Sequence, residues 1–162
     1  MKYTTCIGIL FSVLLLSCGG QGGGFAETNL IEHGVPLTIF APDSIDVKRS
    51  SIGFQEDVTI DGGEDYSVQI FISDAISSQM TSTLRGHREN VESNPFFDGY
   101  VEEGESGFVY RNRIDSNNVA YGFRHIVLMG GKEYVFQEAM LSAFNEDQAI
   151  EMYKAVQGPS KK

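Results

Sequence analysis

Four extended runs, 96–102, 107–114, 119–128 and 132–141, stand separated only by short turns, and this spacing constrains the fold more than any other feature of the chain. Loops of about 2–5 residues leave a strand no route except back beside its predecessor, so the runs predict an antiparallel meander. The turns read Glu103-Gly104-Glu105-Ser106, Asp115-Ser116-Asn117-Asn118 and Met129-Gly130-Gly131-Lys132. The Gly-Gly pair is the strongest of the three signals, because a type I′ turn needs positive φ at both central positions.

Upstream, 52–60 and 66–73 read as two strands joined by the loop Asp61-Gly62-Gly63-Glu64-Asp65. In the second of them Val68, Ile70 and Ile72 alternate with Ser67, Gln69, Phe71 and Ser73, which gives one apolar face. Two short extended candidates, 29–33 and 37–40, are broken by Gly34 and Pro36. The period changes over 74–90, where Ile76, Met80, Leu84, His87 and Val91 form one helical stripe, with Asp74 as its N-cap and Asn94-Pro95 as its stop. A last helix opens at Asn145 with Gln148 in the capping-box position, presents Ala149, Ile150, Tyr153 and Val156, and ends at Gly158-Pro159. The expected class is α+β: a curved antiparallel sheet of about six strands, one helix after the first hairpin and one at the C-terminus.

The first residues read differently. A single Lys2 precedes the apolar run 7–18, which Gly19-Gly20-Gln21-Gly22-Gly23-Gly24 stops at about half the ~20 residues a membrane helix needs. A positive start, a short apolar stretch and a small residue at its end are the layout of a secretory signal. The stretch closes on Leu15-Leu16-Ser17-Cys18, with leucine three places before the cysteine and serine immediately before it. This resembles the signal of bacterial lipoproteins. The resemblance implies removal of 1–17, lipidation of Cys18, and a membrane partner reached through that lipid. It also implies a place in the cell envelope, with the outer membrane favoured because Gly19 is not the aspartate that retains some lipoproteins at the inner membrane. Residues 18–27 are then a glycine-rich tether, 28–158 one domain and 159–162 a tail.

Cleavage would discard Cys6 and leave Cys18 to the lipid, so the exported domain holds no disulfide and stands on its core alone. It keeps all 22 acidic residues and loses one of the 12 basic ones. So acidic a surface is repelled by anionic lipid and lacks the clustered Lys and Arg that nucleic acid requires.

The element order, the opening Pro36-Leu37-Thr38-Ile39-Phe40-Ala41-Pro42-Asp43 and the Gly-Gly-Lys-Glu-Tyr hairpin before the last strand resemble the PsbP/Mog1-like fold over ~35–157. That fold recurs in small bacterial lipoproteins and implies a non-enzymatic accessory role.

Chemistry is sparse. Gly104-Glu105-Ser106-Gly107 lacks the spacing and the following helix of a nucleophile elbow, and reads as a turn. His33, His87 and His125 fall on separate elements without metal-ligand spacing, so no metal and no cofactor is expected. The acidic loop 57–65 gathers Asp57, Asp61, Glu64 and Asp65 in an order that does not match an EF-hand; a solvated hairpin tip explains it more simply than calcium.

Two candidate surfaces follow from pairing Ile114 with Val119 across the 115–118 turn. Arg111, Arg113 and Arg124 then share a sheet face above Ala120 and Gly122 and offer bidentate contacts to a carboxylate, a phosphate or an acidic partner. The simpler reading is that they pair internally with acids such as Glu133 or Glu102. The same register lines up Phe108, Tyr110, Ile114, Val119, Tyr121, Phe123, Val127, Tyr134, Phe136 and Met140 opposite, interrupted by Asn112, His125 and Glu138. Those three polar groups would border a small-molecule pocket between sheet and helix. The expected role is a non-catalytic, lipid-anchored envelope protein that binds or scaffolds another protein, and the alternative is a small-molecule binder or sensor using that pocket.

Overall fold

The computed structural model describes residues 24–53, 55–140 and 143–159. The apolar run 7–18, Cys18, the tether glycines up to Gly23 and Leu141 lie outside the described residues. Among those described, no helix is long and apolar enough to cross a membrane.

The fold is α+β, built on a seven-stranded antiparallel sheet with a separate two-stranded sheet and two helices. The small sheet pairs β1 (Ala26–Asn29) with β2 (Thr38–Ala41), and a 3-10 turn, Ile31–His33, lies between them. The large sheet holds β3 (Asp46–Ile52), β4 (Gln55–Asp61), β5 (Ser67–Asp74), β6 (Phe97–Gly104), β7 (Gly107–Arg113), β8 (Val119–Met129) and β9 (Lys132–Glu138). Their spatial order is β3-β4-β5-β9-β8-β7-β6, so the N-terminal hairpins and the C-terminal meander join where β5 meets β9. Helix α1 (Met80–Glu92) follows β5, and α2 (Glu146–Val156) ends the domain.

The meander forms where the turn spacing predicts, and Gly130 and Gly131 both take positive φ, 61° and 76°. At α2, Asn145 accepts from the Gln148 backbone N–H while the Gln148 side chain accepts from the Asn145 N–H, a complete capping box. Strand β3, Asp-Val-Lys-Arg-Ser-Ser-Ile, goes unread in the sequence. It is an edge strand carrying charge, without the apolar alternation that marks a strand with one buried face. Residues 31–33 turn where an extended run is expected. Strand β1 begins at Ala26, inside the span read as tether, held by pairing with Ala41 and by Phe25 packing edge-on to Tyr66. Asp74 does not cap α1: it ends β5 opposite Lys132, whose Nζ lies 2.7 Å from its carboxylate, and the helix starts at Met80 after Gln79.

The two faces of the large sheet are covered unequally. On one, Val58, Ile60, Val68, Ile70, Val109, Phe123 and Phe136 are sealed beneath Leu30, Val35, Ile39 and Ala41 at one end and by α2 at the other. On the other, α1 sets Leu84 and Val91, with Met80 beside them, on Phe108, Tyr110 and Ile126. This second core covers only the β6–β8 side of the sheet.

The β7–β8 pairing is one residue out from the expected register: Arg113, not Ile114, pairs with Val119, and Gly107 pairs with His125. Since side chains alternate faces, the shift carries every β8 residue to the other side relative to β7. Phe108 and Tyr110 therefore belong to the α1 core, whereas Phe123, Tyr134 and Phe136 belong to the α2 core. Ile114 and Met140 are exposed.

Close backbone approach at the β6–β7 turn requires glycine. A Cβ on Gly107 would collide with the Arg124 carbonyl oxygen and stand 2.8 Å from the Tyr153 ring. Gly107→Ala should therefore destabilise the domain by about 1–3 kcal/mol, seen as a lower midpoint in urea unfolding.

Candidate functional site

The corrected register separates the three arginines. Arg111 and Arg113 lie on one face and Arg124 on the other. Arg113 donates to Asp98 Oδ2 through Nε at 3.1 Å and Nη2 at 2.8 Å, and Arg111 Nε lies 2.9 Å from the same oxygen. The two guanidiniums hold the Asp98 carboxyl below its usual range, chiefly through the Arg113 hydrogen bond. Arg124 lies over the Tyr110 ring at 5.5 Å, donates to the Phe123 carbonyl, and stands 3.4 Å from Glu138. All three pair internally, with acids other than the two expected, and they form no common patch.

Asn112, His125 and Glu138 do not border one cavity either. Asn112 pairs across β7–β8 with Ala120, and its Oδ1 is enclosed without a partner among the described residues. Glu138 accepts from the Phe123 backbone N–H at 2.8 Å and from the Tyr110 hydroxyl at 3.1 Å. Gly122 leaves the space for this, since a Cβ there would stand 2.6 Å from Glu138 Oε1. His125 is buried on the α2 side against the rings of Phe136 and Tyr153, with Ser106 Oγ 3.4 Å from Nδ1.

The loop acids are also dispersed. Asp57 accepts from Gln69, Asp61 from the Gly63 N–H, and Asp65 from Gln148. Among the described residues, no group of three or more His, Cys, Asp or Glu is placed to hold a metal ion.

What the structure does assemble is a groove of about 580 Å³ beside α1, over the β5–β9 part of the half-covered face. Its floor follows from register. One row across β4, β5, β9 and β8 is Asp57, Phe71, Val135 and Ile126, an apolar strip at its centre. The rows flanking it carry Gln69, Gln137 and Arg124 on one side and Ser73, Glu133 and Leu128 on the other. The α1 wall is Ser82, Thr83, Gly86, His87 and Asn90, the stripe beside the one that packs. His87 ties wall to floor, its Nε2 2.7 Å from Glu133 Oε1. Ile76, at the mouth, is fully exposed. Sequence reasoning placed Ile76 and His87 in the helical stripe, Phe71, Ile72 and Ser73 on the second hairpin strand and Arg124 in the third meander strand, but nothing in the sequence brings them together at one groove.

His87 and Glu133 form an imidazole–carboxylate pair of the kind that serves a nucleophile. Among the described residues no hydroxyl hydrogen-bonds the ring to complete such a set.

No family model, no curated protein and no solved structure matches the chain.

Burial lowers the His125 pKa from 6.5 to about 4. The unfolded chain takes up this proton near 6.5 and the folded chain only near 4. The stabilisation from a neutral ring is therefore complete above the higher value and lost as pH falls towards the lower, about 3 kcal/mol in all. Replacing His125 by Leu should flatten the pH dependence of urea stability between those values; parallel curves for the two proteins would contradict burial of a neutral imidazole.

Proposed function

We propose that this chain is a lipid-anchored, non-catalytic accessory protein of the cell envelope, and that it works by holding a small molecule in the groove between α1 and the sheet. The observation that carries the reading is the groove itself. Its volume lies within the ~300–1,000 Å³ typical of small-molecule sites. Its polar residues gather around an apolar strip, as such sites require.

Scaffolding of another protein is the second reading, and the surfaces it calls for are weaker. The arginines are consumed by Asp98 and Glu138. Both sheet edges are guarded: β3 presents Asp46, Lys48 and Arg49, and β6 is irregular at two places, with Gly99 at φ 129°. Charges and bulges on an edge oppose the addition of a foreign strand. The envelope location rests on the run ending at Cys18, and the accessory role also on the resemblance to PsbP/Mog1-like lipoproteins.

Cys18→Ser should move the protein from the detergent phase to the aqueous phase on phase partitioning, and intact-mass measurement should find diacylglycerol only on the unaltered protein. The dialysable fraction of an envelope extract should raise the melting temperature. Stabilisation by the non-dialysable fraction alone would favour the scaffold reading.

A further inference from the structure

Resting on the groove as a binding site, we propose that its ligand is a short neutral saccharide, seated with an apolar ring face on Phe71 and its hydroxyls among the amides and hydroxyls of the rim. Four observations converge on this class. First, the charged side chains at the groove already have partners within the protein: His87 Nε2 lies 2.7 Å from Glu133 Oε1, and Arg124 stands 3.4 Å from Glu138. A charged ligand would have to break one of these pairs.

Second, the rim is rich in polar groups left unused. Among the described residues the side chains of Ser73, Ser82, Asn90 and Gln137 make no hydrogen bond, and Thr83 Oγ1 is enclosed without a partner. Gln69 Oε1, beside the groove on the same face, is enclosed and unpartnered as well. Amides and hydroxyls both donate and accept, which matches sugar hydroxyls; an acyl chain would leave them all unsatisfied.

Third, Phe71 lies in the central floor row beside Val135 and forms no aromatic pair among the described residues. The C–H face of a sugar needs such an unpaired flat ring flanked by polar groups.

Fourth, Gly86 stands in the middle of α1, where glycine is unfavourable relative to alanine. A Cβ there would meet nothing within 4 Å, so no neighbouring protein atom demands the glycine. The space it leaves opens onto the groove and lets a ligand approach the helix backbone.

The test uses the full chain in detergent micelles, isotopically labelled, with two variants. Gly86→Met fills the groove while improving helix propensity; Phe71→Leu keeps the floor apolar but removes the flat ring. The probes are a panel of neutral hexoses, N-acetylhexosamines and their disaccharides, beside galacturonate and decanoate. At least one neutral sugar should shift the amide resonances of Phe71, Thr83, Gly86 and Asn90 saturably, and each variant should weaken it tenfold or more, with Gly86→Met melting no lower than the parent. If galacturonate or decanoate shifts these amides and the neutral sugars do not, the saccharide assignment falls while the binding groove stands. If no probe shifts them, and a dialysable envelope extract does not either, both fall.

Discussion

A sheet with two apolar faces must be covered twice, and the unequal way in which this chain meets that demand shapes everything else about it. One face is covered over its centre by the β1–β2 unit and α2, with Leu30, Val35, Ile39, Ala149, Met152, Tyr153 and Val156 closing over the strands. The other receives a single helix, anchored through a narrow stripe, and that helix reaches only the meander side. The sealed face supplies the stability that a disulfide-free domain requires, and the half-covered face supplies the cleft. Had α1 lain centrally, Phe71 would be as buried as its neighbour Val135.

The polar groups inside the domain follow the same division. On the meander side, Glu138 takes the Phe123 backbone N–H, the Tyr110 hydroxyl and the neighbourhood of the Arg124 guanidinium. A carboxylate so placed replaces a strand neighbour's carbonyl and fixes Tyr110 and Arg124 against each other. Removing either partner of such a half-buried pair leaves the other's charge without compensation, which is costlier than the pair is favourable. On the sealed side burial penalises the charged form of His125 and lowers its pKa, which favours the neutral ring.

The one-residue register error explains most of what sequence reasoning misassigned. Alternation has period two, so a single-residue shift in one hairpin exchanges faces for the whole strand beyond it, and both candidate surfaces depended on that hairpin. The 115–118 turn is longer than its residues suggest: Asp115 accepts from the backbone N–H groups of Asn117 and Asn118, and Ile114 and Asp115 both donate to the Asn118 carbonyl. This closes the turn on Arg113 and Val119 and leaves Ile114 outside the ladder. Phe108 and Tyr110 on one face and Val109 on the other are all apolar and buried, so hydrophobicity alone could not choose between registers.

Local signals were sufficient wherever the determining interactions lie within a few residues. The four meander strands, the Gly130-Gly131 turn, the Asn145–Gln148 cap and the α+β class were all legible; of the expected stripe, Met80, Leu84 and Val91 pack on the sheet, whereas Ile76 lies exposed before the helix and His87 faces the groove. Tertiary structure alone decided which faces are shared, where α1 comes to rest, and that Thr83, Gly86 and Asn90 stand opposite Phe71 and Gln137. Those relations join elements dozens of residues apart. They depend on strand register and on which surface a helix can bury, and neither quantity is encoded in any single stretch of the chain.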